Sequence, residues 1–306
     1  MGSPELQALR EMLTQAGRMT PDVPLDLQRA VADAFGSIAP VPEEVTVAPV
    51  GPGEAAGPTG TPTPAGDMVA APGARDGRVV LYLHGGGFVI GSTVSHRSFA
   101  AQLSAAAAAT VLVLDYRRAP EHRYPAALDD AVGAFRWLLE AGADPGSLAL
   151  AGDSAGGGLA LAALVRLRDE GVRLPAATAC ISPWVDLRCT AASIEARAER
   201  DYVLSGSWLR AMAAHYLAGA DPADPAVSPL LADLGGLPPV LVAAGSEEVL
   251  YDDAASITDR LAAAGVEAEL ALFEDCAHWW MLAGPSIPEA AACTERVGRF
   301  LGSRLA

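Results

Sequence analysis

Six short apolar runs punctuate the chain from residue 78 onward: RVVLYLHG, TVLVLDYR, SLALAGDS, ATACISPW, PVLVAAGS and AELALFED. Each is a few residues long, apolar on both faces and bounded by turn residues, the pattern of strands buried inside a parallel sheet. Between them lie stretches with helical spacing: HRSFAAQLSAAA, PAALDDAVGAFRWLLEAG, GGGLALAALVRLRDEG and DDAASITDRLAAAG, several closing on glycine. Alternation of strand and helix predicts an α/β fold, a mostly parallel central sheet flanked by helices on both faces.

Two regions break the rhythm. Residues 4–37 read as amphipathic helix, with Leu6, Leu9 and Leu13 on one face after a Ser-Pro start and the pattern repeated in PLDLQRAVADAFG. Residues 186–220 contain no clear strand and predict two helices inserted above the sheet. Residues 48–68, rich in Gly, Pro and Thr, read as a linker or loose loop.

Composition narrows the chemistry. The chain has 306 residues and a formal charge of −16, which disfavours nucleic acid and anionic membranes as partners. All 21 cations are arginine, which removes Schiff-base, P-loop and S-x-x-K lysine chemistry. Cys180, Cys189, Cys276 and Cys293 have no zinc-finger or C-x-x-C spacing and read as buried free thiols, with no metal site. With no signal-peptide pattern and no apolar run long enough to span a bilayer, a cytoplasmic location is expected.

Gly152-Asp153-Ser154-Ala155-Gly156 is a G-x-S-x-G motif placed between a predicted strand and a predicted helix. That context turns the serine out on a sharp elbow beside a helix N-terminus. A hydroxyl needs a base, and in folds built round this elbow the acid and then the base follow the serine. Of five histidines only His215 and His278 follow Ser154, and only His278 lies in a loop after the last predicted strand. His84-Gly85-Gly86-Gly87 follows the first strong strand; the N–H groups of Gly86, Gly87 and Ala155 would form an oxyanion hole. A dinucleotide loop is the competing reading, with Asp115 as the ribose acid, but the glycine spacing misses G-x-G-x-x-G.

The stretches YLHGGGFVIGS, LDYRRAPEHRYPAALDD, LAGDSAGG, SPWVDL and the tail to CAHWW occur in this order across residues 79–280. In them the chain resembles the bacterial hormone-sensitive-lipase-like (family IV) esterases of the α/β-hydrolase superfamily. The resemblance implies one α/β-hydrolase domain over residues 1–306, with cap elements at about 1–45 and 186–220 and the core at about 46–185 and 221–306. It implies hydrolysis of short- to medium-chain carboxylic esters through an acyl-enzyme, with no cofactor and a small-molecule ester as the partner; a homodimer stays open. Lactonase, amidase or acyltransferase chemistry on the same residues is one alternative, and a non-catalytic ligand-binding relative another. Asp115, Arg117 and Glu121 are expected to form a charge network that holds their loop. Arg118 and the Trp279-Trp280 pair depart from the family pattern and bear on substrate range.

The resemblance places the acid in AAGSEEVLYDD, residues 243–253. Asp252 and Asp253 stand where an N-cap and a first-turn acid of the following helix belong. Glu247 and Glu248 follow a strand's C-terminal end, where α/β folds gather their chemistry. The resemblance maps the acid onto Glu247, ahead of Glu248 and then Asp252. Trp184, Trp208, Tyr216, Trp279 and Trp280 are candidate walls of a substrate pocket.

Overall fold

The computed structural model describes residues 2–51 and 61–306. In chain order its elements begin with helices α1 (Pro4–Ala16) and α2 (Leu25–Gly36), then strands β1 (Thr46–Val50), β2 (Gly66–Ala70) and β3 (Val79–Leu83). There follow α3 (Thr93–Ala107), β4 (Thr110–Leu114), α4 (Ala126–Glu140), β5 (Leu148–Asp153), α5 (Ala155–Asp169) and β6 (Ala177–Ile181). The inserted α6 (Ser193–Ala196) and α7 (Gly206–Leu217) come next, then β7 (Val240–Gly245), α8 (Tyr251–Ala263), β8 (Ala268–Phe273) and α9 (Pro288–Gly302).

One eight-stranded sheet runs β1-β2-β4-β3-β5-β6-β7-β8. From β4 to β8 every pairing is parallel, and β3, β5, β6 and β7 are buried almost throughout. These strands carry no polar face because helices cover both sides of the sheet. Their C-terminal ends therefore line up at one edge, with Leu83, Asp153, Ile181, Gly245 and Phe273 the last residues of β3, β5, β6, β7 and β8.

The expected linker over 48–68 is corrected at both ends. β1 and β2 form there and pair antiparallel, Val50 opposite Gly66, and β2 pairs antiparallel with β4; residues 52–60 lie outside the described residues. β1 escapes a pattern search because it is an exposed edge strand that contains Pro49, and an edge tolerates a missing ladder donor.

The two predicted helical regions form and meet each other. Trp208 on α7 donates its indole N–H to Gln28 on α2 at 2.7 Å, and Met19 N–H donates to the Val203 carbonyl at 2.9 Å. Arg29 on α2 reaches down to the core, donating to the Val89 and Ala119 carbonyls at 3.0 and 3.1 Å and forking onto Glu121 at 2.8 and 2.7 Å. That pair holds the Glu121 carboxyl down at about 2 through its hydrogen bond. Arg117 pairs with Asp130 on α4 instead. The network expected among Asp115, Arg117 and Glu121 is thus two separate tethers to neighbouring helices.

Asp252 and Asp253 lie in the first turn of α8, but neither caps it; its N-cap is Leu250. Their carboxylates point outward to stitch loops. Asp252 accepts the Ser193 N–H at 2.8 Å, and Asp253 accepts those of Val185 and Asp186 at 2.9 and 3.1 Å. Burial pushes the Asp253 carboxyl up to about 7, with the two backbone donors opposing it. A raised acid holds more protons folded than unfolded across the interval from its unfolded value to 7, so its contribution to stability falls as pH rises through that window. His84, lowered to about 3 by burial, acts in the opposite sense at the acid end. Comparison with Asp253→Asn, which keeps an acceptor oxygen and cannot ionise, isolates the aspartate. The melting temperature of the variant relative to wild type is expected to rise from pH 5 to pH 8 by at least about 3 °C, the shift of roughly 2 kcal/mol in a domain of this size. A difference independent of pH contradicts the assignment.

Candidate active site

Ser154 sits between β5 and α5 with φ 53° and ψ −123°, a conformation that a non-glycine residue adopts only when its surroundings impose it. Its N–H donates to the Ile181 carbonyl at 2.8 Å, and its own carbonyl accepts from Trp184 at 2.9 Å. The elbow can be this tight because a Cβ at Gly156 would run into the Leu83 and His84 carbonyls. The serine is buried, 3% exposed, at the head of α5.

The loop after β3 turns back over that head. Gly86 and Gly87 have φ 113° and 61°, conformations that favour glycine. The N–H groups of Gly86, Gly87 and Ala155 make no hydrogen bond among the described residues. Buried donors without acceptors are costly in a folded protein and mark a place for an incoming oxygen. Asp153 fixes the loop from below, since its Oδ1 accepts the Gly85 N–H and the Tyr82 hydroxyl, each at 2.8 Å, with His96 Nε2 at 3.1 Å.

His278 lies in the loop after β8, 1% exposed. Its Nδ1 donates to Glu248 Oε2 at 2.9 Å, and its Nε2 is buried without a partner. The other Glu248 oxygen, Oε1, accepts the Gly245 N–H and the Ser182 hydroxyl, both at 2.6 Å. Burial opposes the imidazolium. The hydrogen bond and charge of Glu248, with Asp201 and Asp153 beyond, outweigh it and raise the His278 pKa above 6.5.

The expectation that Glu247 is the acid is therefore corrected: Glu248 holds the imidazole. Glu247 turns the other way and is clasped by Arg200 of the inserted segment, whose Nε lies 2.6 Å from Oε2 while Nη2 contacts Oε1. The reason is where the strand stops. The N–H groups of Ser246 and Glu247 still donate across to the end of β8 and the chain after it, to the Phe273 and Cys276 carbonyls, both at 2.9 Å. Ser246 and Glu247 form the turn, and the Glu248 side chain folds back over the strand end to Gly245. Two adjacent glutamates after a strand carry no sequence signal for the residue at which the ladder breaks.

All five candidate pocket aromatics are buried. Trp208 covers the loop after β3, for a Cβ on Gly87 would lie 3.0 Å from its Cη2 and 2.9 Å from Met212 Cγ. Tyr216 stacks on Phe88 of the same loop at 3.9 Å between centroids, and Trp184 packs against that ring at 6.0 Å. Trp279 adjoins His278 and stacks on Phe35 of α2 at 5.8 Å. Trp280 instead packs against Phe273 at the end of β8. Sequence reasoning missed Met212, Phe35 and Arg200, which belong to the two helical regions and reach the site only through tertiary packing.

A serine on a strained elbow, an imidazole with a free Nε2 and free N–H groups make a site for acyl transfer. Asp115, which a dinucleotide site requires, is exposed. The four cysteines are free and buried, and no cluster of three or more metal-binding side chains occurs among the described residues. Likewise no helix among them is long and apolar enough to cross a membrane.

Known proteins share this fold. The α/β-hydrolase-fold family profile matches residues 80–282. An acetyl-hydrolase of Streptomyces hygroscopicus is 44% identical over 98% of this chain and 97% of its own. The carboxylesterase/phospholipase LipF of Mycobacterium tuberculosis is 40% identical over 78% of this chain and 67% of its own. The crystal structure of an esterase from the bacterial hormone-sensitive lipase family superposes with a TM-score of 0.92 at 42% identity, covering 100% of both chains. The chain belongs to the α/β-hydrolase-fold family, among the bacterial hormone-sensitive-lipase-type esterases.

Proposed function

We propose that this esterase cleaves short- to medium-chain carboxylic esters with Ser154 as nucleophile, His278 as base and Glu248 as the acid that orients it. The observation that carries the reading is the His278 ring, anchored through Nδ1 on a fully buried Glu248 and left with Nε2 unpartnered. The acetyl-hydrolase name of the Streptomyces relative supports the short end of the acyl range. Residues 1–45 and 186–220 act as one cap over a core of 46–185 and 221–306, a reading supported by the Trp208–Gln28 and Met19–Val203 bonds. Four unpaired thiols suit a reducing compartment such as the cytoplasm.

The reaction runs in two halves. His278 Nε2 takes the Ser154 hydroxyl proton as Oγ attacks the ester carbonyl carbon. The carbonyl oxygen becomes an oxyanion, and the N–H groups of Gly86, Gly87 and Ala155 donate to it. On collapse the C–O bond to the alcohol breaks, and His278 returns the proton to the departing alkoxide. Water then gives its proton to His278 and attacks the acyl-serine; collapse releases the carboxylic acid and restores Ser154. Glu248 fixes the productive tautomer and stabilises the imidazolium in both halves. Trp208 and Met212 roof the acyl side of the oxyanion loop.

Three outcomes are expected. On a chain-length series of nitrophenyl esters, Ser154→Ala abolishes turnover that the wild type shows at short chains; equal rates contradict the serine mechanism. Glu248→Gln lowers kcat by about 10³–10⁴-fold, the scale on which a triad acid acts, whereas Glu247→Gln stays within about tenfold; the reverse ranking returns the role to Glu247. Because His278 must be neutral to act as base and its pKa is raised, kcat/KM climbs with pH through a midpoint above 6.5. In the residual activity of Glu248→Gln that midpoint moves to lower pH; an unmoved midpoint speaks against the pairing.

A further inference from the structure

The inserted segment grips the acid loop on both sides of Glu248. Arg200 holds Glu247 through both carboxylate oxygens. The next residue, Asp201, is buried at 0% exposure and spends its carboxylate on backbone: Oδ1 accepts Val203 and Leu204 N–H, each at 3.0 Å, and Oδ2 accepts Val249 N–H at 3.0 Å. Ser193 closes the other end. Its hydroxyl donates to the Val249 carbonyl at 2.7 Å and accepts Asp252 N–H at 3.1 Å, while its own N–H donates to Asp252 Oδ2 at 2.8 Å. Residues 247, 249 and 252 are thus tied to the insert, and Glu248 between them is left to the sheet end and His278.

This pattern is not what a simple cover over a pocket requires. A cover needs apolar contacts and freedom to move; α7 supplies the apolar contacts through Trp208 and Met212. Residues 193–201 instead make a dense set of polar bonds to the loop that aims the catalytic carboxylate. Burying Asp201 costs several kcal/mol unless its oxygens are satisfied, and here they are satisfied only by the turn it starts and by the acid loop. The arrangement fixes the backbone on the C-terminal side of Glu248.

We infer that residues 193–201 are a positioning clamp for the triad acid, with Asp201 its central positioning residue and Ser193 its second anchor. The inference rests on Glu248 being the acid. A carboxylate misplaced by about 1 Å loses much of its effect on the imidazole, so the clamp sets how well Glu248 holds His278. Burial opposes the charged His278 ring, and three carboxylates act against it: Glu248 by hydrogen bond and charge, and Asp201 of the insert and Asp153 at the end of β5 by charge from farther off. Asp201 adds negative charge to that set as well as holding the backbone.

The test measures kcat, KM and the pH midpoint of kcat/KM for Asp201→Asn, Ser193→Ala and Glu248→Gln on a nitrophenyl acetate substrate, with melting curves to establish folding. Asp201→Asn turns an amide NH₂ or a poorer acceptor toward Val249 N–H. It is expected to lower kcat at least tenfold with KM changed less than threefold, and to move the midpoint to lower pH. Ser193→Ala, which removes no charge, is expected to lower kcat at least threefold with KM unchanged. A folded Asp201→Asn enzyme with wild-type kcat and an unmoved midpoint overturns the clamp. If Asp201→Asn does not fold, Ser193→Ala decides, and wild-type kcat in it overturns the clamp. Wild-type turnover in Glu248→Gln removes the acid assignment itself, an outcome distinct from failure of the clamp alone.

Discussion

A carboxylate with no exposure to water is tolerated only when every oxygen is engaged, and Glu248 meets that condition with three groups. Gly245 N–H and the Ser182 hydroxyl take one oxygen, and His278 takes the other. Those partners come from the ends of β7, β6 and β8, so the bond can form only when three parallel strands finish at the same level. The same edge carries Ser154, whose N–H rests on the last residue of β6. The sheet register, the elbow and the imidazole are in this sense one arrangement, with Glu248 as the piece that cannot be exposed or left unpaired.

Much of the fold was legible because burial on both faces forces continuous apolar runs. All six predicted strands form, and so do helices in both stretches expected to carry them, 4–37 and 186–220. β1 and β2 were not legible: one is a proline-containing edge and the other a five-residue strand beside a Gly/Pro-rich stretch. At the site, Ser154 and His278 could be found because a motif and a chain order constrain them. The glutamate that meets His278 could not be told from its neighbour, since the choice depends on where the backbone bonds to the end of β8 and the chain after it give out. Which carboxylate receives an arginine is likewise a tertiary fact, set by a segment nearly fifty residues away.

The lysine-free, acidic composition gains meaning against this structure. Arginines are spent where planar, forked donors are needed: Arg29 on Glu121 and two carbonyls, Arg97 on Asp67, Arg200 on Glu247. Two of these join the helical regions to the core at the borders of the site, one at the loop after β3 and one beside Glu248. The helical elements are therefore tied to both sides of the site, to the loop after β3 through Arg29 and to the loop that carries Glu248 through the segment around Asp201.

The central claim is that Glu248, and not Glu247, holds the Nδ1 proton of His278. Proton NMR of the low-field region observes that proton directly. The account predicts a downfield resonance in wild type that persists in Glu247→Gln and disappears or moves strongly upfield in Glu248→Gln. A resonance lost in Glu247→Gln and kept in Glu248→Gln would contradict it.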